Sequence, residues 1–409
     1  MQDVIAMSTE QKNDGVGARV AEERKLAGWT QARLASTANV STSLVKAVEQ
    51  GRAPASPAFI SACGRALKVG VTALLEQPYP RTTRDEQLVH AGIPDIRREL
   101  AVYRIPPEDI PPRTLHELTG DVARASKMRH MVNLGELGEL LPSLLHDLRV
   151  AWYSSSGTDQ ERIFGLLAET YAATSQAVYK LGYIDLASLA VDRYEWAAAR
   201  SGDKLAVLAG DYQRAGEMIG VADWAGAERF LEESRKTIEP KIGKGDPATL
   251  AMWGNLHLKS GLAAARAGRR DTADAHLAEA TETAARIGAD RDDYRLCFGP
   301  TNVQIWSVGL AVEMLDGTEA VKRSVRVKLS AGTPRERAGH HYIDLARGFL
   351  LHGDRDGALS ALQSARRIAP TQTRYHPMVH ETVRALARQD ARSTETVRGF
   401  AAWCGMGRR

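Results

Sequence analysis

Residues 30–51 read TQARLASTANVSTSLVKAVEQG, and this stretch predicts two short helices joined by a tight turn. Thr30 and Ser41 are placed to cap the two helices, because a hydroxyl can accept a free N–H of a first helical turn. Asn39 tolerates the positive φ that such a turn commonly needs, and Gly51 ends the second helix. The spacing of apolar residues predicts a buried face formed by Leu34, Ala35, Val45 and Val48.

The opposite face of the second helix carries short polar and basic side chains, which suit a helix in a DNA major groove. The predicted base contacts are Thr42, Ser43 and Lys46. The predicted phosphate contacts are Gln31, Ser41, Gln50 and Arg52. Residues 15–70 hold eight basic against three acidic side chains, a surplus expected of a module that binds phosphate.

This stretch and its flanks, over about Gly15 to Glu76, resemble the phage-repressor and Cro-like (xenobiotic-response-element) family of helix-turn-helix domains. The resemblance rests on the TQxxLA start, the VS cap and the EQG ending. It implies a five-helix DNA-binding domain. Asn39 replaces the family's commoner glycine, and Ala47 is shorter than the usual long polar residue, which limits hydrogen-bonded base reading. A generic helical hairpin is the alternative interpretation.

The length of 409 residues suggests two or three domains, and 44% apolar residues are enough for a core. The expected division is a disordered lead at 1–14, a DNA-binding domain at 15–76, a linker and connecting helix at 77–112, and a helical repeat domain at 113–409. One face of the connecting helix is predicted to carry Leu88, Ile93, Ile96 and Leu100.

Composition excludes several classes of protein. The formal net charge of +4 is too small for a polybasic binder along the whole chain. The three cysteines are scattered without metal-ligand spacing, which is typical of a reducing compartment. No run of 18 apolar residues and no signal peptide is present, so we expect a cytoplasmic protein without a membrane partner.

A repeated helical pattern fills the second half of the chain. Residues 340–370, HHYIDLARGFLLHGDRDGALSALQSARRIAP, resemble a tetratricopeptide repeat, and weaker copies precede them from about Leu166. The alanines that correspond in the second helices are Ala187, Ala227, Ala273, Ala320 and Ala358. Their spacing of about 40 residues exceeds the usual 34, which predicts lengthened helices or loops in an all-α helical solenoid. The alternative is an irregular helical domain with one true repeat.

The first helices of such repeats line the concave side of a solenoid. The tetratricopeptide resemblance places a polar and aromatic column there, and its predicted ligand-binding members are Gln176, Tyr179, Tyr212, Asn255, Asn302, His340 and Arg347. Asn255 and Asn302 share one offset in neighbouring repeats, and paired amides suit an extended peptide backbone. The alternative is solvated surface, although mixtures of aromatic and amide side chains are typical of pockets.

Other chemistry is weakly indicated. His340 and Asp344 share a helix face, but no third metal ligand of matching geometry is visible. The IGKGDP stretch lacks the strand and helix of a phosphate-binding loop. No Ser-His-Asp or Cys-His set can be assembled. We therefore expect no enzymatic activity, no cofactor and no metal.

The two resemblances together give the layout of Gram-positive peptide-pheromone sensors. That similarity implies a homodimeric regulator that binds an inverted-repeat operator in double-stranded DNA and responds to a small peptide or metabolite. The alternative is a DNA-tethered scaffold whose repeats dock a partner protein. A closed cavity inside the array favours the sensor, whereas an open, wide groove favours the scaffold.

Overall fold

The computed structural model of the chain describes residues 15–81, 83–108, 110–389 and 395–406, so the lead predicted at 1–14 lies outside the described residues. Within these ranges the regular elements are helices, apart from one isolated bridge between Arg291 and Phe298. The predicted all-α class is confirmed. No helix of the described part is both long and apolar enough to cross a membrane.

The N-terminal domain is a five-helix unit. Its helices are α1 (Val16–Leu26), α2 (Gln31–Ala38), α3 (Thr42–Glu49), α4 (Pro57–Leu67) and α5 (Val71–Leu75). The predicted core residues Leu34, Ala35, Val45 and Val48 are all buried. Gly17 lets α1 cross α3 closely, because a Cβ at this position would lie 2.0 Å from the carbonyl oxygen of Val48.

The connecting segment differs from the expected single helix. It contains two helices, α6 (Arg84–Val89) and α7 (Ile93–Ala101), with a break at Gly92. A Cβ on Gly92 would lie 2.0 Å from the carbonyl oxygen of Gly138, so the chain turns where it touches the first repeat. Ile93, Ile96 and Leu100 are buried as predicted, whereas Leu88 is 52% exposed because it precedes the break.

Helical hairpins form the rest of the chain. The hairpin helices are α8 (Leu115–Met131), α9 (Leu134–Tyr153), α10 (Gly157–Lys180), α11 (Ile184–Ala198), α12 (Lys204–Gly220), α13 (Trp224–Ile238), α14 (Pro247–Arg266), α15 (Arg270–Ile287), α16 (Pro300–Glu313), α17 (Gly317–Ser324), α18 (Arg335–His352) and α19 (Arg355–Ile368). The terminal helices are α20 (Pro370–Tyr375), α21 (Pro377–Gln389) and α22 (Glu395–Trp403), and short 3₁₀ turns lie at Glu239–Lys244 and Asp293–Arg295.

The spacing of the repeats has a visible cause. The five alanines at 187, 227, 273, 320 and 358 lie in the second helices of successive hairpins, and each is 0% exposed. Small residues there let the two helices of a hairpin approach closely. The extra length lies in helices such as α10, which has 24 residues, and in the segments that contain the two 3₁₀ turns.

The array of hairpins curls until its end meets its beginning. Helix α18 packs against α8. Across the interior, Lys180 Nζ lies 3.4 Å from Glu336 Oε1, and both side chains are buried. Behind this contact, Arg374 pairs with Glu86, and the ring of Tyr375 packs against His90 with centroids 5.3 Å apart. The first helices of the hairpins therefore surround a central interior.

The N-terminal domain docks on the outside of this array. Ser61 Oγ donates to the carbonyl oxygen of Gly220 at 2.8 Å, and Arg65 Nη1 donates to that of Ala222 at 2.8 Å. Gly220 is the last residue of α12, and Ala222 lies in the turn that follows it. Trp224 and Met378 from the array pack on the core of the domain. These contacts attach α4 of the N-terminal domain directly to a helix of the array.

Candidate DNA-binding and effector sites

The turn between α2 and α3 has the geometry that the sequence predicts. Thr30 Oγ1 accepts from the backbone N–H of Arg33 at 3.1 Å, and Ser41 Oγ accepts from that of Leu44 at 3.2 Å. Asn39 has φ +54° and Gly51 has φ +69°, both in the left-handed region. Both caps and both positive-φ positions are confirmed.

A buried ion pair fixes the carboxyl end of α3. Arg24 Nε donates to Glu49 Oε1 at 2.6 Å, and Arg24 Nη2 donates to Oε2 at 2.9 Å. Gln31 Nε2 donates to Glu49 Oε2 at 2.8 Å. Burial alone would raise the pKa of Glu49, but hydrogen bonds from Arg24 and Gln31 outweigh it and lower the pKa. Sequence spacing missed this pair, because its members lie on different helices.

Among the described residues, nothing covers the outer face of α3. The exposed residues there and at its ends are Ser41, Thr42, Ser43, Lys46, Gln50 and Arg52. Gln31 is half-buried, and its amide is held by Glu49 rather than directed outward, so its predicted phosphate contact has to come from its backbone. The hydroxyls of Ser41 and Ser43 lie 3.0 Å apart. The docked array thus leaves the predicted recognition surface open.

Inside the array, the predicted column borders an internal space. Tyr179 is 52% exposed, yet protein surrounds it closely enough for burial to raise the pKa of its phenol. The two observations agree if the ring faces a space that water can enter. Tyr212 lies on the neighbouring helix α12, and burial raises the pKa of its phenol to about 12. The Nζ of Lys259 lies 3.9 Å from the centroid of the Tyr212 ring.

The two asparagines of the column have different surroundings. Asn255 is 2% exposed, and its Oδ1 accepts no hydrogen bond from the described residues. Asn302 is already engaged at both ends of its amide, because its Nδ2 donates to the carbonyl oxygen of Cys297 and its Oδ1 accepts from Arg337 Nε at 2.8 Å. The expected pair of free amides is therefore reduced to Asn255, and Asn302 instead anchors a loop.

The remaining polar members of the column are engaged with other side chains. Arg347 Nη1 donates to Glu313 at 3.0 Å and to Asp344 at 2.9 Å. His340 lies 3.4 Å from Glu336, but burial lowers the pKa of this histidine to about 3, so it is neutral at physiological pH. Gln176 Oε1 accepts from Lys180 at 3.3 Å. These contacts join neighbouring residues of the array, and the role of the column in binding a ligand stays a prediction.

A strained loop enters the interior between α15 and α16. Tyr294, Arg295 and Cys297 all have positive φ, between +49° and +59°. Arg129 of α8 donates to the carbonyl oxygen of Arg295 at 2.8 Å, and Arg295 Nε donates to Glu169 of α10 at 2.8 Å. The loop thereby ties three hairpins together, a role that no local sequence pattern indicated.

Three potential metal ligands meet beside this loop. The side-chain atoms of His130, Asp292 and Cys297 lie within 4.8 Å of one another. However, Arg129 Nη2 lies 3.1 Å from His130 Nε2, and Arg295 Nη1 lies 3.4 Å from Asp292 Oδ2. Two guanidinium groups already supply positive charge there, so a metal cation would be repelled. We assign the cluster to anchoring the loop.

A separate cleft of about 480 Å³ lies between α10, α11, α12 and the 3₁₀ turn at Asp293–Arg295. Its carboxylates are Glu161, Glu169 and Asp203. None of the predicted ligand-binding residues lines this cleft, so it gives no support to the column.

Comparison with known proteins identifies only the N-terminal domain. Residues 16–77 match the family described as a helix-turn-helix domain, and these bounds coincide with α1–α5. No curated protein matches the chain. The match indicates a DNA-binding regulator of transcription. In the structure, a helical solenoid follows the matched domain.

Proposed function

We propose that the chain is a ligand-responsive transcriptional regulator of the Cro-like type. Its helix-turn-helix domain reads an operator, and its tetratricopeptide-like array senses a small peptide or metabolite in the central interior. One observation carries the proposal: helix α12 presents Tyr212 to the interior and, at its carboxyl end, holds the helix-turn-helix domain through the carbonyl oxygen of Gly220.

This shared helix supplies the coupling. A ligand shifts an equilibrium only by its difference in affinity for two shapes, typically about 1–3 kcal/mol of coupling. Rotations summed along a solenoid would move α12 relative to α21. Both helices touch the helix-turn-helix domain, through Gly220 and Met378 respectively. A bound ligand would therefore change how the DNA-binding domain is held.

The contact between α8 and α18 favours a sensor over a docking scaffold. A scaffold needs an open groove that admits a segment of a partner protein. An interior that is closed on itself suits a small molecule. Docking of a partner protein remains the alternative function, and it would use the outer surface of the array.

A homodimer completes the proposal. Ala47 and the short hydroxyls of Thr42 and Ser43 give one domain few base contacts. Two half-sites about one helical turn apart, arranged as an inverted repeat, would restore affinity. The array offers the larger surface for dimer formation. Light scattering with operator DNA present tests this part, and a monomer would contradict it.

The proposal assigns the chain to the cytoplasm, where it would meet DNA. It assigns no chemical reaction, cofactor or membrane partner to the chain.

The central test measures DNA affinity with and without a candidate effector pool. Genome-wide mapping of binding sites would provide the operator, and the small-molecule fraction of a cell extract would provide the pool. We expect the fraction to change the Kd of the full chain by about 5- to 150-fold. No change with any extract would contradict the sensing role.

Asn255→Ala tests whether the interior receives the effector. The substitution removes a buried oxygen that has no partner in the described structure, so folding should tolerate it. We expect the variant to keep its DNA affinity and lose the response to the extract. Asn133→Ala, at an exposed position before α9, is the matched control and should respond like the wild type. A full response of Asn255→Ala would place the site elsewhere.

A further inference from the structure

Most charged side chains of the interior neutralise one another. Lys180 pairs with Glu336 at 3.4 Å. Glu313 accepts from Arg266 at 2.9 Å and from Arg347 at 3.0 Å. Buried charges usually occur in such pairs, because an isolated ion loses its hydration without compensation. An interior cation without a partner therefore requires an explanation.

Lys259 and Arg337 are two such cations. Among the described residues, no carboxylate oxygen lies within 4.0 Å of the nitrogens of either side chain. Arg337 uses only Nε for hydrogen bonding, to Asn302, and its two terminal nitrogens donate to no described residue. Lys259 Nζ instead lies over the ring of Tyr212. Both side chains are partly exposed, and both place positive charge in the interior without a carboxylate beside it.

The ring of Trp306 lies close to both cations. The centroid of the Trp306 ring lies 6.0 Å from Lys259 Nζ and 5.8 Å from Arg337 Cζ. Lys259 comes from α14, Trp306 from α16 and Arg337 from α18. Three successive hairpins thus contribute to one place, with two positive groups beside a flat apolar surface.

The electrostatics agree with this geometry. Burial, together with the charges of Arg266 and Arg337, lowers the pKa of Lys259 to about 7, and only Glu217 opposes the shift. Glu217 accepts a hydrogen bond from Ser188 and lies beyond 4.0 Å from Lys259. A bound anion would supply the missing negative charge and restore the ammonium form.

We propose that the interior binds an organic anion that carries a flat apolar group. The anionic group would lie between Lys259 and Arg337, and the flat group would pack on Trp306. The assignment rests on the proposed sensing role and names the chemical class of the effector. A guanidinium with two free terminal nitrogens suits a carboxylate, which it can bind through two parallel hydrogen bonds.

The test uses a matched pair of fluorescent probes on the full chain. Anilinonaphthalene sulfonate is an aromatic anion, and N-phenylnaphthylamine has the same aromatic frame without the sulfonate. We expect Lys259→Gln combined with Arg337→Gln to weaken anilinonaphthalene sulfonate at least tenfold. The affinity for N-phenylnaphthylamine should stay within twofold, because Trp306 is unchanged.

Lys322→Gln is the control for loss of positive charge, since Lys322 is exposed on α17 and pairs only with Glu319. It should leave both affinities unchanged. Circular dichroism melting would establish that the double variant is folded. Should the double variant prove unfolded, displacement of anilinonaphthalene sulfonate from the wild type gives the answer: naphthoate should displace it and neutral naphthamide should not.

Equal affinity of the folded double variant and the wild type for anilinonaphthalene sulfonate would overturn the anion site. That outcome leaves the sensing role intact if the extract still changes DNA affinity. Conversely, charge-dependent probe binding without any effect of an extract on DNA would keep the anion site and overturn the sensing role. The two failures are therefore distinguishable.

Discussion

Cations of the helix-turn-helix domain and of the array differ in their partners. Arg24 is enclosed by the domain, and Glu49 accepts from two of its nitrogens. Lys259 and Arg337 face the interior of the array with no carboxylate within 4.0 Å among the described residues. The first arrangement holds two helices together. The second leaves two partly exposed cations without a carboxylate, and Lys259 instead contacts the ring of Tyr212.

Charges that hold helices together thus have different surroundings from the charges that we propose to bind a ligand. Exposed cations such as Lys46 and Arg52 carry little information by themselves, because water solvates them at no cost. Lys259 is more informative, because burial lowers its pKa to about 7 and no carboxylate oxygen of the described residues lies within 4.0 Å of its Nζ. Four substitutions test this distinction.

The largest effect is expected from Glu49→Ala, which leaves Arg24 buried without its partner. We expect the free energy of unfolding of the helix-turn-helix domain to fall by about 3–5 kcal/mol. Urea unfolding of the full chain, followed by hydrogen exchange of α1 and α3, measures the loss. Glu22→Ala on the exposed face of α1 is the control. Arg24→Met with Glu49→Met should recover most of the loss; equal losses in the single and double variants would argue against a structural pair.

Lys259→Met in the array is expected to change the free energy of unfolding in the opposite direction, as an increase. Removing an unpaired cation should raise the free energy of unfolding by about 1–3 kcal/mol near pH 7. Lys322→Met, at an exposed and paired position, should change it by less than about 0.5 kcal/mol. A destabilised Lys259→Met variant would mean that the ammonium contributes to the fold.

The effect of Lys259→Met on the free energy of unfolding should also depend on pH. The pKa of Lys259 is lowered to about 7 in the fold, below the ordinary value of 10.5. Between these values the unfolded chain binds more protons at this group, so the stability of the wild type rises with pH. The amount by which Lys259→Met exceeds the wild type in free energy of unfolding should therefore shrink from pH 7 to pH 10. Below about pH 7 this difference should be constant. Paired denaturant titrations at pH 6, 7, 8.5 and 10 measure the difference; an advantage independent of pH would contradict the assigned shift.

For the exposed cations, Lys46→Ala should act on DNA binding and leave folding unchanged. We expect a loss of about 1–3 kcal/mol of specific affinity if Lys46 reads a base edge. Adding Arg52→Ala should reduce the salt slope, which is the slope of log K against the logarithm of salt concentration, by about one unit. Fluorescence anisotropy with operator DNA at several salt concentrations measures both quantities, with Lys322→Ala as control. Unchanged affinity and slope in the double variant would exclude the predicted docking.

The sequence predicted features that are set within a few residues. The caps at Thr30 and Ser41, the left-handed Asn39 and the buried alanines all follow from local spacing, and the structure has each of them. The DNA-recognition face and the ligand-binding column that the sequence predicts remain predictions. Features set by distant contacts were not visible: the Arg24–Glu49 pair, the closure of α18 on α8 and the bond that occupies Asn302. These depend on how helices cross, which spacing along one helix does not specify.

The smallest effect is expected at the contact that joins the two regions. Ser61→Ala removes one hydrogen bond to the carbonyl oxygen of Gly220, and such a bond contributes about 0.5–1.5 kcal/mol. Hydrogen exchange in α4 and at the carboxyl end of α12 should become up to about tenfold faster, because 1.4 kcal/mol corresponds to a factor of ten. Ser364→Ala removes a bond of the same type within one helix and should leave both segments unchanged.

If α12 transmits the effector signal, Ser61→Ala should also weaken the response to the cell extract while DNA affinity without extract is retained. Suppose that hydrogen exchange becomes faster while the response to the extract is undiminished. The coupling would then run through the contacts of α21, where Met378 packs on the same domain.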